Sequence, residues 1–76
     1  MILFMSYKIG KEVKNVTIIG SKEIAGQVYG KGKIGRNVFW VYNHDNTPPE
    51  EKTCVNVEIT GAKSREFYAK VICGKP

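Results

Sequence analysis

The fold is decided by the stretch Tyr29–Tyr42, Y-G-K-G-K-I-G-R-N-V-F-W-V-Y. Its first half spaces Lys31, Lys33 and Arg36 with glycines, and its second half is an aromatic and β-branched run that favours a β-strand. A flexible cationic loop leading into an aromatic strand is typical of the surface that small β-barrels offer to single-stranded nucleic acid. There, cations contact phosphates and rings stack on bases. The alternative is that the glycines only bend a strand pair and the rings fill the core.

Size and composition predict one small folded domain. The chain has 76 residues, of which 42% are hydrophobic and 25% charged. We expect residues 12–72 to form the domain, with 1–11 an N-terminal extension and 73–76 a C-terminal tail. The net charge of +5 is concentrated in residues 8–36, whereas Asn43–Lys52 is acidic. This excess favours an anionic partner, most often a nucleic acid.

Several classes of function are disfavoured by what the sequence offers. Cys54, Cys73 and a single histidine do not supply the four ligands of a structural zinc site, so neither a metal nor a cofactor is expected. His44 and Asp45 are neighbours, but no nucleophile is placed beside them, so we expect no enzymatic activity.

The sequence also predicts a cytoplasmic location with reduced thiols. The start M-I-L-F-M is too short for a signal peptide, and Met5 is an alternative natural start. No run approaches the roughly 20 apolar residues of a membrane span, so no membrane contact is expected.

Glycine recurs too often for helices, and the remaining pattern predicts five short strands. They are Glu12–Ile19, Ile24–Gly30, Asn37–Tyr42, Thr53–Thr60 and Glu66–Ile72. The third is apolar on both faces and should be central, while the fourth alternates cleanly and should be half-buried.

Turns and bulges are predicted between and within these strands. Gly20–Ser21, the basic loop Lys31–Arg36 and Gly61–Arg65 should connect strands. Gly26 should mark a bulge or a close approach of the backbone. In the first strand, Lys14 should share a face with Val16 and Ile18.

Five short antiparallel strands cannot leave both edges bare in so small a domain, and closing the sheet removes those edges. We therefore predict an all-β, five-stranded antiparallel OB-like barrel. An SH3-like barrel is the alternative, because strand count does not separate the two. The aromatic rings cannot all fit inside so narrow a barrel. We predict Tyr29, Trp40 and Tyr68 as exposed platforms for stacking. For Trp40 the alternative is that it caps the core with its indole N–H bonded at the barrel mouth.

Five segments together resemble a TRAM domain, the small OB-like barrel attached to enzymes that modify tRNA and rRNA. They are V-T-I-I-G from residue 16, E-I-A-G-Q-V-Y from 23, N-V-F-W-V-Y from 37, V-N-V-E-I-T from 55 and E-F-Y-A-K-V-I from 66. The chain departs from that family at Ser21–Glu23, where the family has Gly-x-Gly, and at Asn43–Glu51, which replaces a Pro-Gly-rich turn.

The resemblance implies an RNA-binding module for tRNA or rRNA with low sequence specificity, acting as an RNA chaperone or beside a modifying enzyme. It implies RNA contacts from the loop after the second strand and from the basic turn before the last: Lys31, Lys33, Arg36, Lys63 and Arg65. We expect a monomer. Two other functions stay open: a protein-interaction barrel that docks through Asn43–Lys52 and a sheet edge, and a protein that binds single-stranded DNA or chromatin.

Overall fold

The computed structural model describes residues 8–63 and 65–72, which form a closed barrel of five strands with no helix among them. The strands are β1 (Glu12–Ile24), β2 (Gln27–Ile34), β3 (Asn37–Tyr42), β4 (Cys54–Lys63) and β5 (Glu66–Val71). They pair in the order β1-β2-β3-β5-β4, and β4 pairs back onto β1. The predicted five-stranded all-β barrel is confirmed. Met5, Cys73, most of the N-terminal extension and the C-terminal tail lie outside the described residues.

One of the five strand pairings is parallel, whereas the sequence pattern predicts antiparallel strands throughout. β3 and β5 pair in parallel from Val38 with Glu66 to Tyr42 with Lys70, and the other four pairings are antiparallel. The chain thus makes a three-stranded meander and then a hairpin whose second strand returns beside β3. This Greek-key order fits the predicted OB-like barrel.

The β1–β2 hairpin is longer than predicted because Gly20 and Ser21 lie within β1 and do not turn the chain. The turn falls at Ala25 and Gly26, whose φ angles are 53° and 85°, and Ile24 pairs with Gln27 across it. Positive φ at both central residues is typical of a type I′ hairpin turn. Gly26 is therefore a turn residue with no heavy atom within 4 Å of its Cβ position, so the prediction of a bulge or a close backbone approach there is wrong.

The basic glycine loop is a strand. β2 continues through Lys31 and Lys33 to Ile34, and the connection to β3 is the two-residue turn Gly35–Arg36, with Gly35 at φ 60°. Glycine at the first central position is typical of a type II′ hairpin turn. The predicted loop over Lys31–Arg36 is wrong because the inner face of β2 requires glycine and so carries no apolar alternation.

A bulge near the start of β1 changes which side chains face the core. The register with β4 shifts between Val13 and Val16, and Asn15 adopts φ 60°. The Asn15 backbone N–H donates to Oδ1 of Asn56 at 3.1 Å. Because a bulge inserts an extra residue, Val13 is buried and Lys14 is exposed. The prediction that Lys14 shares a face with Val16 and Ile18 is wrong.

The fully buried core consists of inward side chains from β1, β3, β4 and β5, and the half-buried Ile34 of β2 packs against it. Phe39 and Phe67 stack at its centre, with ring centroids 5.4 Å apart. The other buried members are Val13, Val16, Ile18, Val41, Val57, Ile59 and Ala69. The inner face of β2 contributes Gly30 and Gly32, both buried, which leaves room for the rings of the neighbouring strands. The half-buried alternation predicted for the fourth strand is confirmed, since Val57 and Ile59 are buried and the residues that alternate with them are exposed.

The acidic segment between β3 and β4 seals one end of the barrel. Pro49 is buried, and its Cγ lies 2.8 Å from the position that a Cβ on Gly30 would occupy. Lys52 N–H donates to Ile18 O at 2.7 Å, and Ile18 N–H donates to Thr53 O at 2.9 Å, so the end of the segment is hydrogen-bonded to β1. The segment is thus part of the packed structure at Pro49, while its acidic side chains stay exposed.

Candidate functional site

Residues on the outer face of β2, β3 and β5 bring a cation and two aromatic rings into one row. Lys31 pairs with Trp40, and Trp40 pairs with Tyr68. Adjacent strands lie about 5 Å apart, so the three side chains are immediate neighbours. Three of the eight predicted site residues are therefore adjacent, although they come from three separate strands.

Tyr68, which belongs to this row, also forms a cluster with two further tyrosines, Tyr29 and Tyr42. The ring of Tyr29 meets those of Tyr42 and Tyr68 edge to face, at centroid distances of 5.8 and 5.4 Å. Tyr42 OH lies 3.0 Å from Oγ1 of Thr60, which holds the ring in place. Burial, followed by the proximity of Tyr68 and Tyr42, raises the pKa of Tyr29. All three rings are half-buried, so each presents part of its surface to solvent from a packed position.

Trp40 lies on the same face but is only 5% exposed. Its indole Nε1 donates to Oε1 of Glu66 at 3.1 Å, and the ammonium of Lys22 lies 5.7 Å from its ring centroid. The prediction that Trp40 is an openly exposed platform is wrong, because these neighbours cover it. Its N–H is hydrogen-bonded, as the alternative requires, but Trp40 lies on the outer face and is not a member of the core cluster, so it does not cap the core.

A groove of about 400 Å³ lies between the last residues of β1 and the first residues of β5. We call it the aromatic groove. It is lined by Trp40 and Tyr68, by the cations Lys22 and Lys63, by the carboxylates Glu23 and Glu66, and by Ile24. Its volume lies within the range of small-molecule pockets. Of the predicted residues it contains Trp40, Tyr68 and Lys63.

The remaining predicted cations gather at one end of the barrel, which we call the basic end and define by Lys33, Arg36 and Arg65. Lys33 pairs with Val38, and the Val38 N–H donates to Arg65 O at 3.1 Å. Because β3 and β5 are parallel, the turns that precede them lie side by side. All three cationic side chains are exposed. None of them forms an ion pair with another described residue.

The glycines between the lysines do not line an anion site. Gly30 and Gly32 are buried and face the interior, where a Cβ on Gly32 would lie 2.5 Å from Cγ1 of Val16. Lys31 and Lys33 are therefore held on a strand, and their outward direction follows from strand alternation. Packing against Pro49 and Val16 therefore explains Gly30 and Gly32, and an approach of the backbone to a phosphate does not.

Sequence reasoning missed Lys22, Tyr42, Glu23 and Glu66 as members of this surface. The signal for Lys22 was present: once the hairpin turn falls at Ala25–Gly26, Lys22 pairs with Tyr29. Nothing in the sequence pattern placed Glu66 beside an indole 26 residues away.

His44 and Asp45 lie in the exposed segment after β3. The Asp45 carboxylate accepts from the Thr47 hydroxyl at 2.6 Å and from the Thr47 N–H at 3.2 Å. These two hydrogen bonds are the main reason that the pKa of Asp45 is lowered. Asp45 thus stabilises a local turn. In the described part of the chain, no group of three or more His, Cys, Asp or Glu side chains is placed to hold a metal ion.

Comparison with known protein families, with curated proteins and with solved structures finds no match to this chain. No helix within residues 8–63 and 65–72 has the length and apolarity to span a bilayer.

Proposed function

We propose that this chain is an RNA-binding module that contacts phosphates with the basic end and bases with the outer face of β2, β3 and β5. The observation that carries the proposal is that Lys31 and the half-buried rings of Tyr29, Tyr42 and Tyr68 share one face, with the exposed cations of two turns beside them. Single-stranded nucleic acids bind surfaces of this kind, because cations follow the backbone while rings stack on successive bases.

The parallel pairing of β3 and β5 supports this proposal on geometric grounds. It places Arg36 and Arg65, which are distant in sequence, at the same end of the barrel. Each phosphate neutralised there would release counterions and make binding sensitive to salt. The acidic side chains after β3 are separated from this end, since they follow the opposite end of that strand.

The resemblance to TRAM domains makes tRNA or rRNA the RNA that we propose. The module would act as a monomer in the cytoplasm, without enzymatic activity of its own, by assisting RNA folding or adding RNA affinity to a modifying enzyme. Single-stranded DNA offers the same phosphates and π-faces. Competition between RNA and DNA therefore has to decide which polymer the module prefers.

Filter binding to RNA over a series of salt concentrations tests the proposal. Two variants that remove the same charge are compared: Lys31→Gln with Lys33→Gln, and Lys11→Gln with Lys14→Gln. The control pair lies at the start of β1, which the barrel order places opposite β3. The first variant should lose affinity, and its salt slope should fall by about 1.4, because each single-strand phosphate contact contributes about 0.7.

The proposal is abandoned if no RNA is retained, or if retention does not change with salt. Equal losses in the two variants would show that net charge alone drives retention. Competition with DNA of matched sequence decides which polymer is preferred.

A further inference from the structure

The aromatic groove differs in charge from its surroundings. Lys22 and Lys63 are balanced there by Glu23 and Glu66, whereas at the basic end the three cations Lys33, Arg36 and Arg65 outnumber the one nearby carboxylate, Glu66. A phosphate that entered the groove would meet two carboxylates. A nucleobase, which has no net charge, would not be repelled. The groove is therefore suited to a base, and the cations around it are suited to the flanking phosphates.

Glu66 is the carboxylate whose orientation the structure fixes. Its Oε1 accepts the indole N–H of Trp40 at 3.1 Å. Its Oε2 has no hydrogen-bond partner among the described residues. An ionised carboxylate only accepts hydrogen bonds, and each oxygen has two acceptor positions. Glu66 thus offers a preorganised acceptor pair next to the ring of Tyr68, which lines the same groove.

We propose that the aromatic groove binds one unpaired guanine, whose N1–H and N2–H donate to the carboxylate of Glu66 while the base lies against Tyr68. This inference rests on the proposed function, because it takes RNA to be the ligand. It adds base-edge recognition at a single position to a surface that otherwise contacts phosphates and rings.

Guanine is selected because it is the base that presents two adjacent donors on its Watson–Crick edge. Adenine and cytosine present an amino group beside a ring acceptor, which a carboxylate oxygen would repel. Uracil presents one N–H between two carbonyl acceptors. The guanine must be unpaired, since its partner in a duplex would occupy the same edge. A contact of this kind discriminates between bases by about tenfold or more.

The test is fluorescence anisotropy with end-labelled RNA nonamers at one fixed salt concentration. The probes are a uridine-only nonamer and nonamers with one central guanosine, inosine, adenosine or cytidine. We expect the guanosine probe to bind about tenfold more tightly than the uridine-only probe. Inosine lacks the N2 amino group and should lose most of that gain. The single tryptophan, Trp40, gives a second readout, because a guanine in the groove should quench its emission.

Two variants locate the preference on the protein. Glu66→Gln keeps an oxygen that can accept the indole N–H of Trp40, so the fold is maintained, but it loses one acceptor of the pair. It should bind all the nonamers alike. Glu51→Gln removes the same charge from the exposed segment after β3 and should keep the guanine preference.

The outcomes separate the two proposals. Equal affinity for all five nonamers overturns the guanine site and leaves the RNA-binding function standing. Absence of binding to every probe overturns both. If the inosine nonamer binds as tightly as the guanosine nonamer, the proposed contact from both N1–H and N2–H to Glu66 is wrong. If the guanine preference survives in Glu66→Gln, Glu66 is not part of the site. The inosine comparison uses the unmodified protein, so it stays informative even if a variant misfolds.

Discussion

Replacement of Gly32 by alanine should destabilise the barrel because no room exists for even one methyl group. A Cβ at this position would lie 2.5 Å from Cγ1 of Val16, 3.4 Å from Thr17 O and 3.7 Å from Cδ1 of Ile18. Carbon atoms in contact prefer about 3.5–4.0 Å, so the nearest pair must separate by roughly 1 Å. Val16 cannot move cheaply, since it is fully buried and its branched side chain is stiff at χ1.

The magnitude follows from two opposing effects. Overpacking of a well-packed core costs about 1–3 kcal/mol. Gly→Ala also stabilises by about 0.4–1 kcal/mol, because it restricts the unfolded chain. Gly20→Ala is the matched control: it lies in β1, has no heavy atom within 4 Å of its Cβ position and has no positive φ, so it should show only the second effect. The two variants should therefore differ by about 1–3 kcal/mol.

Thermal unfolding, followed by Trp40 fluorescence and by circular dichroism, measures this difference. In a domain of this size each kcal/mol shifts Tm by about 4–8 °C, so Gly32→Ala should melt clearly below Gly20→Ala. The double variant Gly32→Ala with Val16→Ala should lose less stability than the sum of the two single losses. The difference, which is the coupling energy between the two sites, should be about 0.5–3 kcal/mol. Equal melting temperatures for the two single variants would refute the claim that Gly32 is required by packing.

Two further predictions concern pH. The folded pKa of Tyr29 is raised by burial and by Tyr68 and Tyr42, so the stability it contributes is complete below its ordinary value of 10.0 and is lost as the pH rises through the folded pKa. Urea unfolding at alkaline pH should show this loss, and Tyr29→Phe should reduce it; an unchanged profile would contradict the assignment. The pKa of Asp45 is lowered by hydrogen bonds from Thr47, so its contribution is present above its ordinary value and is lost as the pH falls through the folded pKa. Thr47→Val should raise the pKa of Asp45 in an NMR titration of its carboxyl carbon, and an unmoved pKa would show that the hydroxyl is not the cause.

Sequence predicts well those strands in which the pattern of apolar and polar side chains matches the pattern of burial. β3 is Asn37–Tyr42 in both prediction and structure, because a run that is apolar on both faces can only lie between two other strands. β4 extends three residues beyond its predicted end, but its alternation identifies the buried positions Val57 and Ile59 correctly. In both strands the information needed is local.

β2 shows why local information is not always enough. Two of its inner positions are Gly30 and Gly32, which face Pro49 and Val16 from other segments. A glycine run without apolar alternation predicts a loop, and the requirement for glycine comes from side chains that are distant in the sequence. The bulge in β1 is similar, since the hydrogen bond that supports Asn15 comes from Asn56 in β4.

The candidate site depends on the same kind of distant information. Most of the cations and rings of the site were predicted from the sequence. Whether they lie close together depends on the direction in which β5 pairs with β3. β3 contains six residues and therefore spans about 20 Å. Had β5 run antiparallel to β3, the turn that carries Arg65 would lie beside Tyr42, roughly that distance from Arg36. The parallel register instead sets Glu66 beside Val38 and Tyr68 beside Trp40. The same pairing therefore builds both the basic end and the aromatic groove, so a variant that disturbs the β3–β5 register should lose the proposed phosphate contacts and the proposed base contacts together.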